Sequence, residues 1–261
     1  MALSAILTIM VRAATKAGRV LARDFGEVEK LQVSRKGPAD FVSISDRRSE
    51  EIIRTELQRA RPDYGLLMEE SGETSGRDPQ HRWIVDPLDG TTNFLHGLPI
   101  FAVSIALERQ GRLHAGVIYN PVTDELFTAE RGGGAFLNDR RIRVAARGHM
   151  ADAVVATGFP FLGRGDHGVY LRELASVMGA TAGIRRCGAA SLDLAWTAAG
   201  RYDAYWERGL FPWDMAAGIL MVREAGGFVS DLDGRDAMFE AGAIVAGNEA
   251  MRHHLLALLK G

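Results

Sequence analysis

The chain has 261 residues, 47% of them apolar, enough to bury a large core as one domain or as two intimate halves. A formal net charge of −2 excludes a chain-wide electrostatic role such as nonspecific nucleic-acid binding, so any charge-driven function must be local. The single cysteine, Cys187, excludes an intrachain disulfide and suits a reducing compartment, with the cytoplasm as the default location.

The opening residues are apolar enough to suggest the centre of a secretion signal, but no basic residue precedes them and Arg12 and Lys16 interrupt the run. Leu3, Leu7, Val11, Ala14, Gly18, Leu21 and Phe25 recur at helical spacing and predict an amphipathic helix ending near Gly26. No other stretch reaches the roughly 18 uninterrupted apolar residues of a membrane span, so a soluble protein without membrane contact is expected. Residues 34–40 read as a polar loop. A helix follows from about Asp46 to Arg59, with Ser45 as its N-cap, Pro62 past its end, and Ile44, Ile52, Ile53 and Leu57 on its buried side. Strands are expected at 64–68 and 82–85, each running into acidic residues.

Residues 101–144 read as an antiparallel meander, because strand-forming segments alternate with turns at Gln110-Gly111, residues 121–124, residues 132–134 and Asn138-Asp139. Beyond a weak seam at 146–151, strand-like pieces (153–157, 184–186, 202–206, 228–229, 244–246) alternate with helices near 170–178, from Ser191, from Trp213 and at the C-terminus. This mixture predicts α and β layers packed on one another. There is no fixed-period repeat, no low-complexity segment and no linker long enough to separate independent domains.

The most informative stretch runs Trp83-Ile84-Val85-Asp86-Pro87-Leu88-Asp89-Gly90-Thr91-Thr92-Asn93. An apolar strand delivers Asp86, a proline turn follows, and Asp89 comes three residues later. Two like charges about 4 Å apart repel by roughly 4 kcal/mol at an effective dielectric near 20, so a site gathering several must be protonated, solvated or cation-bound. Carboxylates, with the Leu88 carbonyl between them, suit magnesium better than zinc, and the seven histidines show no zinc-ligand spacing. Gly90-Thr91-Thr92 would offer backbone N–H groups to a phosphate if a short helix begins there. An isolated Asp-Gly pair is more often an ordinary turn, but a turn needs neither the second acid nor the threonines. Glu69, in Met68-Glu69-Glu70-Ser71-Gly72, and Asp214, in Pro212-Trp213-Asp214-Met215-Ala216-Ala217-Gly218, stand at a strand end and a helix start. A solvated loop and a helix-dipole partner are the plain alternatives for these two.

Taken together and in this order, these segments resemble the inositol monophosphatase family over nearly the whole chain. The resemblance implies a layered αβαβα sandwich of α/β (α+β) class. It implies one domain over 1–261 with halves at about 1–146 and 147–261, and two or three Mg2+ ions bound by Glu69, Asp86, Asp89, Asp214 and the Leu88 carbonyl. Gly90 and Thr91 would hold phosphate, and Asp46 would hydrogen-bond the Thr91 hydroxyl so that the pair, with Glu69, orients the attacking water. Lys36 would be a loop cation near the metals, or a solvated residue. Glu207, in Tyr205-Trp206-Glu207-Arg208-Gly209, would bind ring hydroxyls, and Gly188-Ala189-Ala190 would face the substrate with its backbone, Ala190 included. Ala189 stands where many relatives carry a hydroxyl. Arg186 is a further candidate for substrate contact or for a structural ion pair. The family also implies a homodimer and inhibition by lithium.

The expected reaction is hydrolysis of a small polyol phosphate, with myo-inositol 1-phosphate placed first, by a metal-activated water and without a covalent intermediate. Cys187 lacks the C-x5-R arginine, the acids are spaced D-x-x-D rather than D-x-D, and no G-x-S-x-G elbow occurs. Fructose 1,6-bisphosphate, histidinol phosphate and a nucleotide 3′-phosphate are rival substrates on the same fold. A rival of another class is an RNA- or transcription-associated regulatory protein, suggested by Arg140, Arg141, Arg143 and Arg147. Nucleic acid is not the expected partner, because such a run is usually a solvated face.

Overall fold

The computed structural model describes residues 3–25, 33–37 and 40–260, with the backbone alone for 33–37 and 40–43. Helices α1 (Ala5–Phe25) and α2 (Ile44–Ala60) form an outer layer. Strands β3 (Tyr64–Met68), β4 (Gly72–Thr74), β5 (Asp78–Asp89), β6 (Ala102–Arg109), β7 (Arg112–Asn120), β8 (Glu125–Glu130), β9 (Gly134–Leu137) and β10 (Arg140–Arg141) build an eight-stranded sheet, ordered β10-β9-β8-β7-β6-β5-β3-β4. Its strands alternate in burial as a two-sided sheet demands. Trp83, Val85, Val103, Ile105 and Val117 pack toward α1 and α2, while Ile84, Ala106 and Ile118 pack the other way, with α5 (Ala190–Ala198) and α6 (Pro212–Glu224). The meander turns carry positive φ at both central residues, Gln110-Gly111 (53° and 71°) and Asn138-Asp139 (45° and 64°), as two-residue hairpins require.

A second sheet joins β11 (Val154–Thr157), β12 (Gly183–Arg185), β13 (Ala204–Arg208), β14 (Phe228–Ser230) and β15 (Ala243–Gly247) in the order β12-β11-β13-β15-β14. Tyr205, Ile244 and Ala246 face α5 and α6, and Val155, Trp206 and Val245 face α4 (His167–Met178) and α8 (Glu249–Lys260). The result is the expected αβαβα sandwich, with α5 and α6 as its middle layer. Among the described residues no helix is long and apolar enough to cross a membrane.

Three expectations need correction. Within the stretch 34–40, the described residues are strand rather than loop: β1 (Val33–Gly37) and β2 (Asp40–Ser43) pair antiparallel, Ser34 opposite Val42 and Arg35 opposite Phe41, while residues 38–39 lie outside the described residues. Strand-forming Val33, Phe41 and Val42 flank the reversal, and pairing satisfies backbone groups that a loop would leave to water. Ser45 is not an N-cap, because β2 runs straight into α2 and Ser45 lies within the helix, donating 2.9 Å to Asp24 Oδ2 of α1. The buried side of α2 is also more polar than apolar periodicity suggested: Asp46, Ser49, Glu50 and Glu56 are buried beside Ile53 and Leu57. The remaining elements among the described residues are the short α3 (Thr91–Leu95), α7 (Met238–Ala241) and a 3-10 turn at Met150–Asp152.

The middle layer leaves no spare volume where its helices cross. A Cβ added at Gly218 of α6 would sit 2.5 Å from the Leu194 side chain of α5. Gly218→Val should therefore lower stability by about 1–3 kcal/mol through overpacking, read as a lower urea midpoint at unchanged slope.

Candidate active site

The site starts from a register. Strands β3 and β5 run parallel with Met68 opposite Val85, so the next residues, Glu69 and Asp86, leave the sheet side by side at the same edge. The Glu69 amide donates 3.2 Å to the Val85 carbonyl, which fixes the first of these turns. On the other side of β5, Asp86 pairs with Ser104 and Asp89 with Ala102, leaving Pro87 and Leu88 opposite the single residue Val103. This bulge holds both aspartates at one edge, and proline is tolerated in it because no ladder donor is needed. Asp86 Oδ1 accepts the Leu88 amide at 2.9 Å, and Ser49 of α2 donates 2.6 Å to the Pro87 carbonyl.

Asp214 arrives from the other half of the chain, in the first turn of α6, where its Oδ2 accepts the Phe211 amide at 2.7 Å. The Ser104 hydroxyl donates to the Trp213 carbonyl at 3.4 Å, tying this helix start to β6. Asp89 Oδ2 accepts both the amide (2.7 Å) and the hydroxyl (2.5 Å) of Ser191. The Thr91 hydroxyl reaches Asp46 Oδ1 at 3.0 Å and the Leu88 carbonyl at 3.1 Å. Gly90 precedes α3 with φ 90°, and a Cβ there would meet the Ile100 carbonyl at 2.8 Å, so only glycine fits.

A cavity of about 300 Å3 opens over this edge, lined by Glu69, Asp89, Gly90, Thr91, Glu207 and Asp214 among others. Ala190 and Arg186 also line it, the Arg186 guanidinium lying 5.5 Å from the centre of the Phe159 ring and making no ion pair among the described residues. Ala189 is buried in the core beneath. The Lys36 side chain lies outside the described residues. Three supporting residues escaped the sequence reading: Ser191, Ser49 and Glu50, whose Oε2 accepts the Glu70 amide at 2.9 Å. Only the polar, helix-spaced positions of Ser49 and Glu50, three and four residues after Asp46, could have exposed two of them.

The acids are near enough to repel one another. Burial pushes the Asp86 carboxyl well above the usual range, and repulsion from Glu69, Asp89 and Asp214 pushes it further. Asp214 is raised by burial and then by Asp89 and Glu69. Asp89 is raised by burial, against the lowering effect of its bonds from Ser191. Among the described residues no three His, Cys, Asp or Glu side chains stand at the spacing of a finished ligand shell. Each acid is held by a hydrogen bond instead: Asp86 with Glu69, Asp89 with Ser191 and Asp214 with the Phe211 amide. Their all-oxygen character nevertheless suits a hard divalent cation, whose charge would remove the repulsion.

Comparison with known proteins places this arrangement. The sequence model of the inositol monophosphatase family matches residues 2–260. Over 260 residues the chain is 64% identical to an inositol-1-monophosphatase of Mesorhizobium japonicum, covering 100% of this chain and 98% of the relative. It is 50% identical to the Nus factor SuhB of Pseudomonas aeruginosa, over 93% of this chain and 91% of that one. The crystal structure of the extragenic suppressor protein suhB from Bartonella henselae superposes with a TM-score of 0.97 at 63% identity, covering 98% and 99% of the two chains.

Burial raises Glu207 from 4.5 to about 7, the Tyr205 hydrogen bond opposing the shift and Asp89 adding to it. A folded-state value above the unfolded one means that the folded state holds the proton more tightly, so this contribution is full below about 4.5 and is lost as pH rises through about 7. Against Glu207→Gln in metal-free buffer, the wild type should lose relative stability between these values and level off above them. Parallel pH–stability curves would show that Glu207 does not titrate there.

Proposed function

The chain belongs to the inositol monophosphatase family and is a phosphoric monoester hydrolase, and we propose that it releases phosphate from myo-inositol 1-phosphate with magnesium as its cofactor. The observation that carries this reading is the meeting of Glu69, Asp86, Asp89 and Asp214 from three separate segments at one cavity edge. The family is metal-dependent. Two or three Mg2+ ions would be held by these four acids and the Leu88 carbonyl, and when bound would acidify a water and neutralise phosphate and leaving-group charge. The Thr91 hydroxyl donates its hydrogen bond to Asp46, so its oxygen is turned to accept one from the attacking water, which Glu69 orients from the other side. The Gly90 and Thr91 amides seat phosphate oxygens. Glu207 accepts hydrogen bonds from the ring hydroxyls, the backbone at Ala190 faces the ring, and Arg186 and Lys36 add positive charge at the rim.

On the same reading the halves at about 1–146 and 147–261 act as one unit, and the protein is a cytoplasmic homodimer inhibited by lithium. Magnesium should support phosphate release and chelation abolish it. Inositol 1-phosphate should outpace fructose 1,6-bisphosphate, histidinol phosphate and a nucleotide 3′-phosphate. Asp86→Asn should lower kcat roughly 100-fold or more, since disturbing even a ligand's supporting partner costs 10–100-fold. Unchanged turnover in that variant would sink the assignment.

A second reading draws on the relative named Nus factor SuhB and on Arg140, Arg141 and Arg143, exposed at and beside the edge strand β10. Arg147 is partly engaged, its Nη1 lying 3.0 Å from Asp203 Oδ1. If these arginines bind RNA, affinity falls steeply with salt and disappears when all four become alanine. No binding at low salt removes this reading.

A further inference from the structure

Two neighbours confine the Glu207 carboxylate. Tyr205 lies two residues earlier on β13 and so on the same strand face, and its hydroxyl donates 2.5 Å to Glu207 Oε2. Tyr205 is 0% exposed, and its hydroxyl makes no other hydrogen bond among the described residues. Burial pushes the phenol well above its usual range, so it stays a neutral donor. Strand β11 runs parallel to β13 with Thr157 opposite Trp206, which brings the next residue, Gly158, beside Glu207. A Cβ built on Gly158 would overlap the Glu207 carboxylate, so any side chain at 158 would push that carboxylate out of its present place.

We propose that Tyr205 and Gly158 are positioning residues that set substrate specificity, locking the Glu207 carboxylate in one orientation as an acceptor for the hydroxyls of a polyol ester. This rests on the reading that Glu207 meets the alcohol part of the substrate. A half-buried carboxylate held in place rewards a hydroxyl that reaches it and penalises an ester that covers it and leaves it unpaired. Free to rotate, the same carboxylate would discriminate less. The charged and titratable groups facing Glu207 from other elements are Asp89 of β5, Tyr170 of α4, Asp193 of α5, Arg186 beyond β12 and Arg164 in the loop beyond β11. None of them supplies the short hydrogen bond that Tyr205 does.

The test compares myo-inositol 1-phosphate with p-nitrophenyl phosphate, an ester whose alcohol carries no further hydroxyl, in the magnesium-loaded enzyme. Tyr205→Phe should lower kcat/KM for the inositol ester about tenfold, mainly through KM, with the nitrophenyl ester changed less than about twofold. The pH dependence of kcat/KM for the inositol ester should move upward, because the lost donor favoured the charged Glu207. In a Glu207→Gln background Tyr205→Phe should have no further effect. Gly158→Ala should show the same selective loss, and it carries the test if Tyr205→Phe fails to fold. Equal losses on both esters, or additive losses in the double variant, would overturn the proposal. If the wild type turns over the nitrophenyl ester but not the inositol ester, the substrate assignment fails instead, and the selectivity ratio is read on whichever polyol ester is hydrolysed.

Discussion

The structure depends on one costly arrangement, the concentration of like charge at the edge of the large sheet. Asp86 is 2% exposed and Asp89 8%, and both lie within electrostatic range of neighbouring acids. Unpaired buried charge is among the most destabilising features a fold can carry. The chain meets that cost with a rigid frame. The parallel register of β3 on β5, the bulge at Pro87-Leu88 and the paired donors of Ser191 give each acid a fixed partner before any ligand arrives. Preorganisation of this kind is what a metal-assisted phosphatase needs, because positioning and charge stabilisation are most of the chemistry.

Helix α2 shows how the frame is maintained. A helix facing a sheet ordinarily presents an apolar stripe, yet this one buries Asp46, Ser49 and Glu50. Each serves a different turn of the site: Asp46 the Thr91 hydroxyl, Ser49 the Pro87 carbonyl, and Glu50 the amide after Glu69. One rigid helix thus sets the spacing of three loops. Its remaining buried acid, Glu56, is balanced by Arg12 and Lys16 of α1 and has a carboxyl held below the usual range, first by the Lys16 hydrogen bond.

Much of this was legible in the sequence. The strand before Asp86, the glycine at 90 and the acids at 69 and 214 announce themselves because each combines a strong local pattern with a residue type that pattern does not need. The meander was equally readable, since Gln110-Gly111 and Asn138-Asp139 are turn formers whose conformations leave few alternatives. What escaped was relational. Nothing local marks Ser191 as the donor to Asp89, a residue 102 positions away, and the polar face of α2 defeats a reading based on apolar periodicity. The pairing of β1 with β2 was missed because both strands are short, and a pairing is not visible from one strand alone.

The two sheets divide the chain in order, the large one drawing its strands from residues 64–141 and the small one from 154–247, while the cavity draws on both. Asp214, Glu207 and Ser191 all come from the later part. A ribosome that has made only the first sheet has therefore produced Glu69, Asp86 and Asp89 without the groups that complete their surroundings. In this architecture the last of the four acids, Asp214, is among the final fifth of residues to leave the ribosome, so the site is assembled only after most of the chain has been made.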